Sequence, residues 1–287
     1  MITLENNDLK VQINPLGAEL HSVWHKGFKL EYMWNADPAF WPKRSPLLFP
    51  IVGLLKDTTY IYKGKKYELP RHGFAWTKQF AVETTTATSA TFLLESSQET
   101  LAIYPFLFQL RLHYMLDGTT LDVTYDVTNT ADDEMYFSVG AHPAFKVPLV
   151  DGLSYNDYYL EFSHPETLPL YTLKDSLIAD AVPYLHAEKR IPLTHELFYK
   201  DALVLKNVKS EFISIKSDKN EHGLDYRIDE FPFLGIWAFK DANFVCIEPW
   251  EGIADSVDTN QQFTQKEGVV KLDAGDQWQK TWSITVR

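Results

Sequence analysis

Only one cysteine, Cys246, occurs among the 287 residues. That excludes an internal disulfide and a cysteine-based zinc cluster, and it fits a reducing cytosol. Positive charge is also scarce. Lys and Arg number 27 against 39 Asp and Glu, for a net charge of -12, and the one short basic run is Lys63-Gly64-Lys65-Lys66. A chain so charged repels phosphate backbones, so no nucleic-acid partner is expected. Long apolar runs are missing too. Ser45 to Leu55 is interrupted by Pro46, Pro50 and Gly53, and it falls well short of the ~20 residues a membrane span requires. The opening residues, Met1 to Asp8, have neither the basic nor the apolar region of a secretory signal. A cytoplasmic protein without a membrane partner is the expectation.

Helical signals are few as well. Ser97 to Tyr104, ending before Pro105, and Leu193 to Tyr199 are the two short candidates. What fills the chain is two-residue alternation of apolar and polar side chains, the pattern of a strand with one face on a core. Leu9 to Ile13 shows it, as does Trp278 to Val286. Phe106 to Met115 and Leu121 to Thr128 flank Asp117-Gly118, a dipeptide suited to a tight hairpin. Thr59 to Tyr62 pairs with Lys65 to Leu69 around Lys63-Gly64, and Ile236 to Phe239 with Phe244 to Glu248 around Asp241-Ala242-Asn243. Strands arriving every ~8 to 12 residues predict an all-β sandwich or barrel. No Ser/Gly linker, low-complexity tract or fixed repeat divides the chain, so residues 1–287 read as one antiparallel domain. Asp151 to His195, polar and weakly periodic, reads as a long excursion over the sheet.

Three segments place a titratable side chain where the backbone is restrained. In Pro70-Arg71-His72-Gly73-Phe74-Ala75, the glycine permits backbone angles that turn an imidazole off the sheet edge into a cleft, or leave a turn histidine bonded to backbone. In Gly140-Ala141-His142-Pro143-Ala144-Phe145, the proline holds His142 extended, as a positioned acid or base requires, or as a kinked strand end produces. In Phe244 to Gly252, alternation puts Glu248 on the face of Phe244 and Cys246, where a carboxylate is costly unless it has a partner or a task. Arg44, flanked by Pro42 and Pro46, is a fixed cation able to clamp vicinal hydroxyls. Trp34, Trp41, Trp76 and Trp237 are either core side chains or platforms for a sugar ring.

Together, Arg44-Ser45-Pro46-Leu47-Leu48-Phe49-Pro50, His72-Gly73-Phe74-Ala75, His142-Pro143-Ala144-Phe145 and Glu248-Pro249-Trp250 resemble the aldose 1-epimerase (galactose mutarotase) family, in its LacX-like branch. The resemblance implies a galactose mutarotase-like β-supersandwich and no metal or organic cofactor. The partner it implies is a small sugar whose α and β anomers are interconverted, on a monomer or homodimer. It further implies that Glu248 is the general base on the anomeric hydroxyl and His142 the general acid on the ring oxygen. His72 and Arg44 would hold hydroxyls, with Asp201 as the acidic substrate-binding residue and Trp237 at the sugar; Asp225 and Asp229 are the alternatives to Asp201. Hexose-6-phosphate epimerases of the superfamily carry arginine directly after His-Gly-Phe-Ala. Trp76 stands there, which favours an unphosphorylated sugar, although Arg71, Lys43 or Lys240 remain available to an anion.

Three other readings use the same residues. Two histidines and a carboxylate are also the ligands of a metal-dependent oxygenase, but no close His-x-Asp/Glu pair accompanies them. Glu248 with Asp201 is a conceivable glycosidase pair. A sugar-binding protein without catalysis needs the pocket but not both an acid and a base.

Overall fold

The computed structural model describes every residue from Met1 to Arg287. Its ladders between strands are all antiparallel, and alternating burial shows why. Phe108–Asp117 turns Phe108, Leu110, Leu112, Tyr114 and Leu116 inward and Gln109, Arg111 and His113 outward. Each fully buried side chain of that kind contributes roughly 1.5–3 kcal/mol. A one-residue slip would expose the whole set.

Two large sheets carry the fold. The first has nine strands. From one edge these are Glu188–Pro192, Tyr158–Glu166, Phe212–Ser217, Asn220–Arg227, Gln277–Val286, Thr120–Asn129, Phe108–Asp117, Ser89–Glu95 and Ala81–Thr85. The second runs Val139–Gly140, Phe244–Glu251, Phe233–Trp237, Leu203–Lys206, Pro169–Lys174, Leu177–Pro183, with Ala144–Lys146 also paired to Phe244–Glu251. A continuous cluster of 73 buried side chains joins the sheets; the Phe145 and Tyr226 rings, one from each large sheet, meet at 5.5 Å between centroids. Four shorter strands from Ile2–Glu5 to Leu30–Glu31 make a further sheet. This is the all-β antiparallel architecture that the strand alternation predicts. No helix is long and apolar enough to cross a membrane.

The hairpins form where turn chemistry allows. Lys63 and Gly64 both take positive φ between Thr59–Tyr62 and Lys65–Glu68, and Gly118 does so between Phe108–Asp117 and Thr120–Asn129. Ser97 caps the one α-helix, Gln98–Ile103, accepting from the Thr100 amide, and the second helical candidate is a short turn, His195–Phe198. The excursion expected over Asp151 to His195 is instead four strands, two in each large sheet. Pro169–Lys174 and Leu177–Pro183 are only partly buried, so solvent on much of both faces erases the alternation that marks strands elsewhere.

Candidate active site

The second large sheet builds the site by register. Gly140 faces Trp250 across the ladder and Ala144 faces Cys246, so the intervening His142 falls directly opposite Glu248. Pro143 cannot donate to the ladder, and the strand breaks there without losing register. On the other side Glu248 faces Gly235. That glycine is required, because a Cβ there would lie 2.3 Å from Trp250 Cζ2. The result is His142 Nε2 at 3.3 Å from Glu248 Oε2, both side chains almost wholly buried.

His72 arrives by a different device. His72 and Gly73 both take positive φ, and a Cβ on Gly73 would lie 2.3 Å from the Phe49 carbonyl oxygen. The segment is pinned by Phe49 N–H donating to His72 O (3.2 Å) and His72 N–H donating to Gly53 O (2.8 Å). Gly53 N–H donates to His72 Nδ1 at 3.1 Å, which leaves the proton of the neutral ring on Nε2, a donor. The His72 and His142 rings stand edge to face at 5.6 Å. No partner fixes the proton on His142, whose Nδ1 is buried without a hydrogen bond.

Both histidines, Glu248, Asp201 and Trp237 line one cavity of ≈ 340 Å³, within the usual size of a small-molecule site. Trp41 stacks on His142 at 5.0 Å and meets Trp237 edge to face at 5.5 Å. The apolar wall is a small cluster separate from the main core, from which Leu48, Val204, Trp250 and Ile253 line the cavity. Asp201 sits just ahead of strand Leu203–Lys206, its Oδ1 accepting from the Ala202 amide at 2.7 Å.

Burial sets the electrostatics. It pushes the His142 pKa down to about 3, pushes His72 well below the usual histidine range, helped by the charges of His142, Arg71 and Lys43, and pushes Glu248 well above the usual carboxylate range. Each displacement disfavours a charged form. Burial thus favours a neutral carboxyl beside a neutral imidazole, and the two groups, 3.3 Å apart, titrate as a coupled pair.

Arg44, expected at the sugar, does not line the cavity. The Glu19 carboxylate accepts from the amides of both Arg44 and Ser45, each at 3.0 Å. In the segment held this way, the Arg44 guanidinium turns outward to the carbonyls of His21 (2.7 Å) and Asn35 (3.0 Å). Lys43, its neighbour, enters the cavity instead, along with Arg71. Of the tryptophans, Trp34 is buried in the core while Trp41, Trp76 and Trp237 reach the cavity. The alternatives to Asp201 are elsewhere: Asp225 pairs with Arg287 and Asp229 with Arg227.

Donor atoms of His142, Cys246 and Glu248 lie within 4.8 Å of one another, a potential ligand set for a thiophilic cation. Burial and the Glu248 charge raise the Cys246 pKa well above its usual value. A metal-binding cysteine must be a thiolate, so this environment opposes capture.

The family model for aldose 1-epimerase matches residues 1–285. The chain belongs to the aldose 1-epimerase family. The plasmid-borne protein LacX of Lactococcus lactis subsp. lactis is 35% identical over 298 residues, covering 99% of each chain. A galactose mutarotase related enzyme from Lactobacillus acidophilus is 38% identical, with a TM-score of 0.95 over 100% of this chain and 97% of that one. A galactose mutarotase-like protein from Lactobacillus casei is 32% identical, with a TM-score of 0.94 over the whole of both chains. In this family member, sequence reasoning assigned no role to Phe239, Leu54 or Trp250, which also line the cavity. Trp250 had a readable signal, since it shares the strand face of Glu248.

Proposed function

We propose that the chain is a mutarotase interconverting the α and β anomers of an aldohexose with a free anomeric hydroxyl. The observation that carries this reading is the His142 Nε2–Glu248 Oε2 approach of 3.3 Å, in a cavity that also holds His72 and Asp201. With the proton of the pair moved from Glu248 to His142 as the sugar hydroxyls bind beside them, Glu248 as carboxylate takes the proton of O1–H while His142 as imidazolium protonates the ring oxygen, and the C1–O5 bond opens to the aldehyde. Ring opening leaves Glu248 and His142 both neutral. Burial disfavours the charged form of each, so the transfer relieves the cost of two buried charges rather than creating it.

Rotation about C1–C2 and reversal of both transfers closes the ring on the other face. His72, neutral with its proton on Nε2, supplies a hydrogen bond to the developing oxyanion or a hydroxyl. Asp201 accepts from hydroxyls, and Trp41 and Trp237 pack against the apolar face of the ring. Each residue uses its own chemistry, so no step calls for a cofactor. We place the reaction in the cytoplasm.

Anomer exchange followed by polarimetry and by NMR tests this reading. Glu248→Gln is expected to lower kcat by about 10²- to 10⁴-fold with the circular dichroism spectrum unchanged. Near-normal exchange in that variant would refute the assignment, and saturable sugar binding without any exchange by the wild type would identify a binding protein instead.

A further inference from the structure

One polar atom in the cavity wall has no task in the chemistry above. Trp250 lines the cavity, is 7% exposed, and holds its Nε1–H buried without a hydrogen-bond acceptor. Such a donor is costly and rare in a folded protein, and at a reaction site it points to an acceptor that is charged only part of the time. Two glycines seat the indole. A Cβ on Gly140 would lie 2.6 Å from Trp250 Cδ1, and one on Gly235 would lie 2.3 Å from Cζ2, so both neighbouring strands give up a side chain to admit the ring. Gly235 is the residue directly opposite Glu248 in the ladder, and Trp250, two residues beyond Glu248, shares its strand face. The ring therefore lies beside the carboxyl.

Glu248 has few other donors. No backbone amide bonds its carboxyl, and His142 Nε2 approaches Oε2 at 3.3 Å. Of the other titratable groups near it, Cys246 and Tyr226 have their own ionisation suppressed, foremost by burial and further by neighbours that include Glu248. Burial raises the Glu248 pKa, the Trp250 side chain lowers it and the Asp201 charge raises it. Of these three influences the indole alone favours the carboxylate. Its N–H thus stands within reach of the carboxyl without being engaged by it.

We propose that the Trp250 Nε1–H is the donor that steadies Glu248 as a carboxylate during turnover. It engages the carboxylate when the proton of the pair passes to His142, and releases it once the ring has opened and Glu248 carries the O1 proton. The inference rests on the mutarotase reading above and deepens it. The indole keeps its own proton throughout, and the proton that moves is the one shared by carboxyl and imidazole. A neutral N–H suits this task, because it stabilises negative charge in a dry cavity without placing a second cation beside the imidazolium.

Two measurements test it. In NMR of the intact wild-type protein, the Trp250 indole proton is identified through its contacts with the Gly140 and Gly235 α protons. As pH rises this signal should move downfield in step with the Glu248 carboxyl carbon, and it should stay in place in Glu248→Gln. An indole proton indifferent to the ionisation of Glu248 overturns the proposal, whether or not the protein turns over a sugar. In anomer exchange of glucose and galactose, Trp250→Phe keeps an apolar ring and removes the donor. Its kcat is expected to fall about 10- to 100-fold, the worth of one hydrogen bond to a charged group, with KM within about twofold of the wild type. A loss confined to KM, or a kcat within about twofold of the wild type, overturns the proposal in favour of a packing role. If Trp250→Phe fails to fold, the indole titration decides alone. If the wild type exchanges no sugar, the mutarotase reading fails by itself, and the same titration still decides whether Trp250 bonds the ionised carboxyl.

Discussion

Replacing Glu248 by glutamine separates what this carboxyl does for chemistry from what it costs the fold. Its side chain is 2% exposed, and burial holds its pKa well above the ordinary 4.5. Above that ordinary value the folded protein keeps a proton that the unfolded chain has released. Because the native state binds the extra proton, stability falls as pH rises, by up to about 1.4 kcal/mol per pH unit, until the folded-state pKa is passed. Glutamine matches the shape, is neutral at every pH and can still bond His142. The wild-type and Glu248→Gln unfolding free energies should therefore diverge with this slope as pH rises from 5, the variant becoming the more stable. Over two pH units the gap amounts to at most about 3 kcal/mol. His142 contributes a slope of the opposite sign below its unfolded value of roughly 6.5, since the unfolded chain takes up a proton that the buried ring refuses. That contribution is common to both proteins, so the difference between them is the quantity to read. Urea unfolding of both at pH 5, 6, 7 and 8 measures it. Parallel curves would refute a buried carboxyl held protonated by desolvation.

Two further outcomes follow from the same geometry. Since burial holds His142 at about 3, the pair gains a second proton only near that pH, and kcat should stay at its neutral-pH value down past pH 5; an acid limb centred near 6.5 in a pH–rate profile would contradict this. Gly73→Ala places a Cβ 2.3 Å from the Phe49 carbonyl oxygen at a φ of +69°, so a loss of about 3 kcal/mol in urea unfolding is expected, and a loss under about 1 kcal/mol would show the turn to be slack.

Much of this molecule follows from local sequence. Alternation in Phe108–Asp117 and Thr120–Asn129, with Gly118 between, dictates a hairpin because burying one face of a strand fixes its period and the turn needs a positive φ. The restrained histidines are equally local, since Pro143 and Gly73 act on their own neighbours. Decisions that depended on long-range contacts were not legible. Whether Arg44 or Lys43 enters the cavity is settled by Glu19, 25 residues away from Arg44 in the chain, which accepts the Arg44 and Ser45 amides. Weakly buried strands such as Leu177–Pro183 form because a neighbouring strand supplies hydrogen bonds, which their own side chains do not announce. The residue types of the proposed proton-transfer site were thus written in the sequence. Their pairing at 3.3 Å and their displaced proton affinities came only with the register of Phe244–Glu251 against Ala144–Lys146, because desolvation belongs to the assembled sheet rather than to any segment of it.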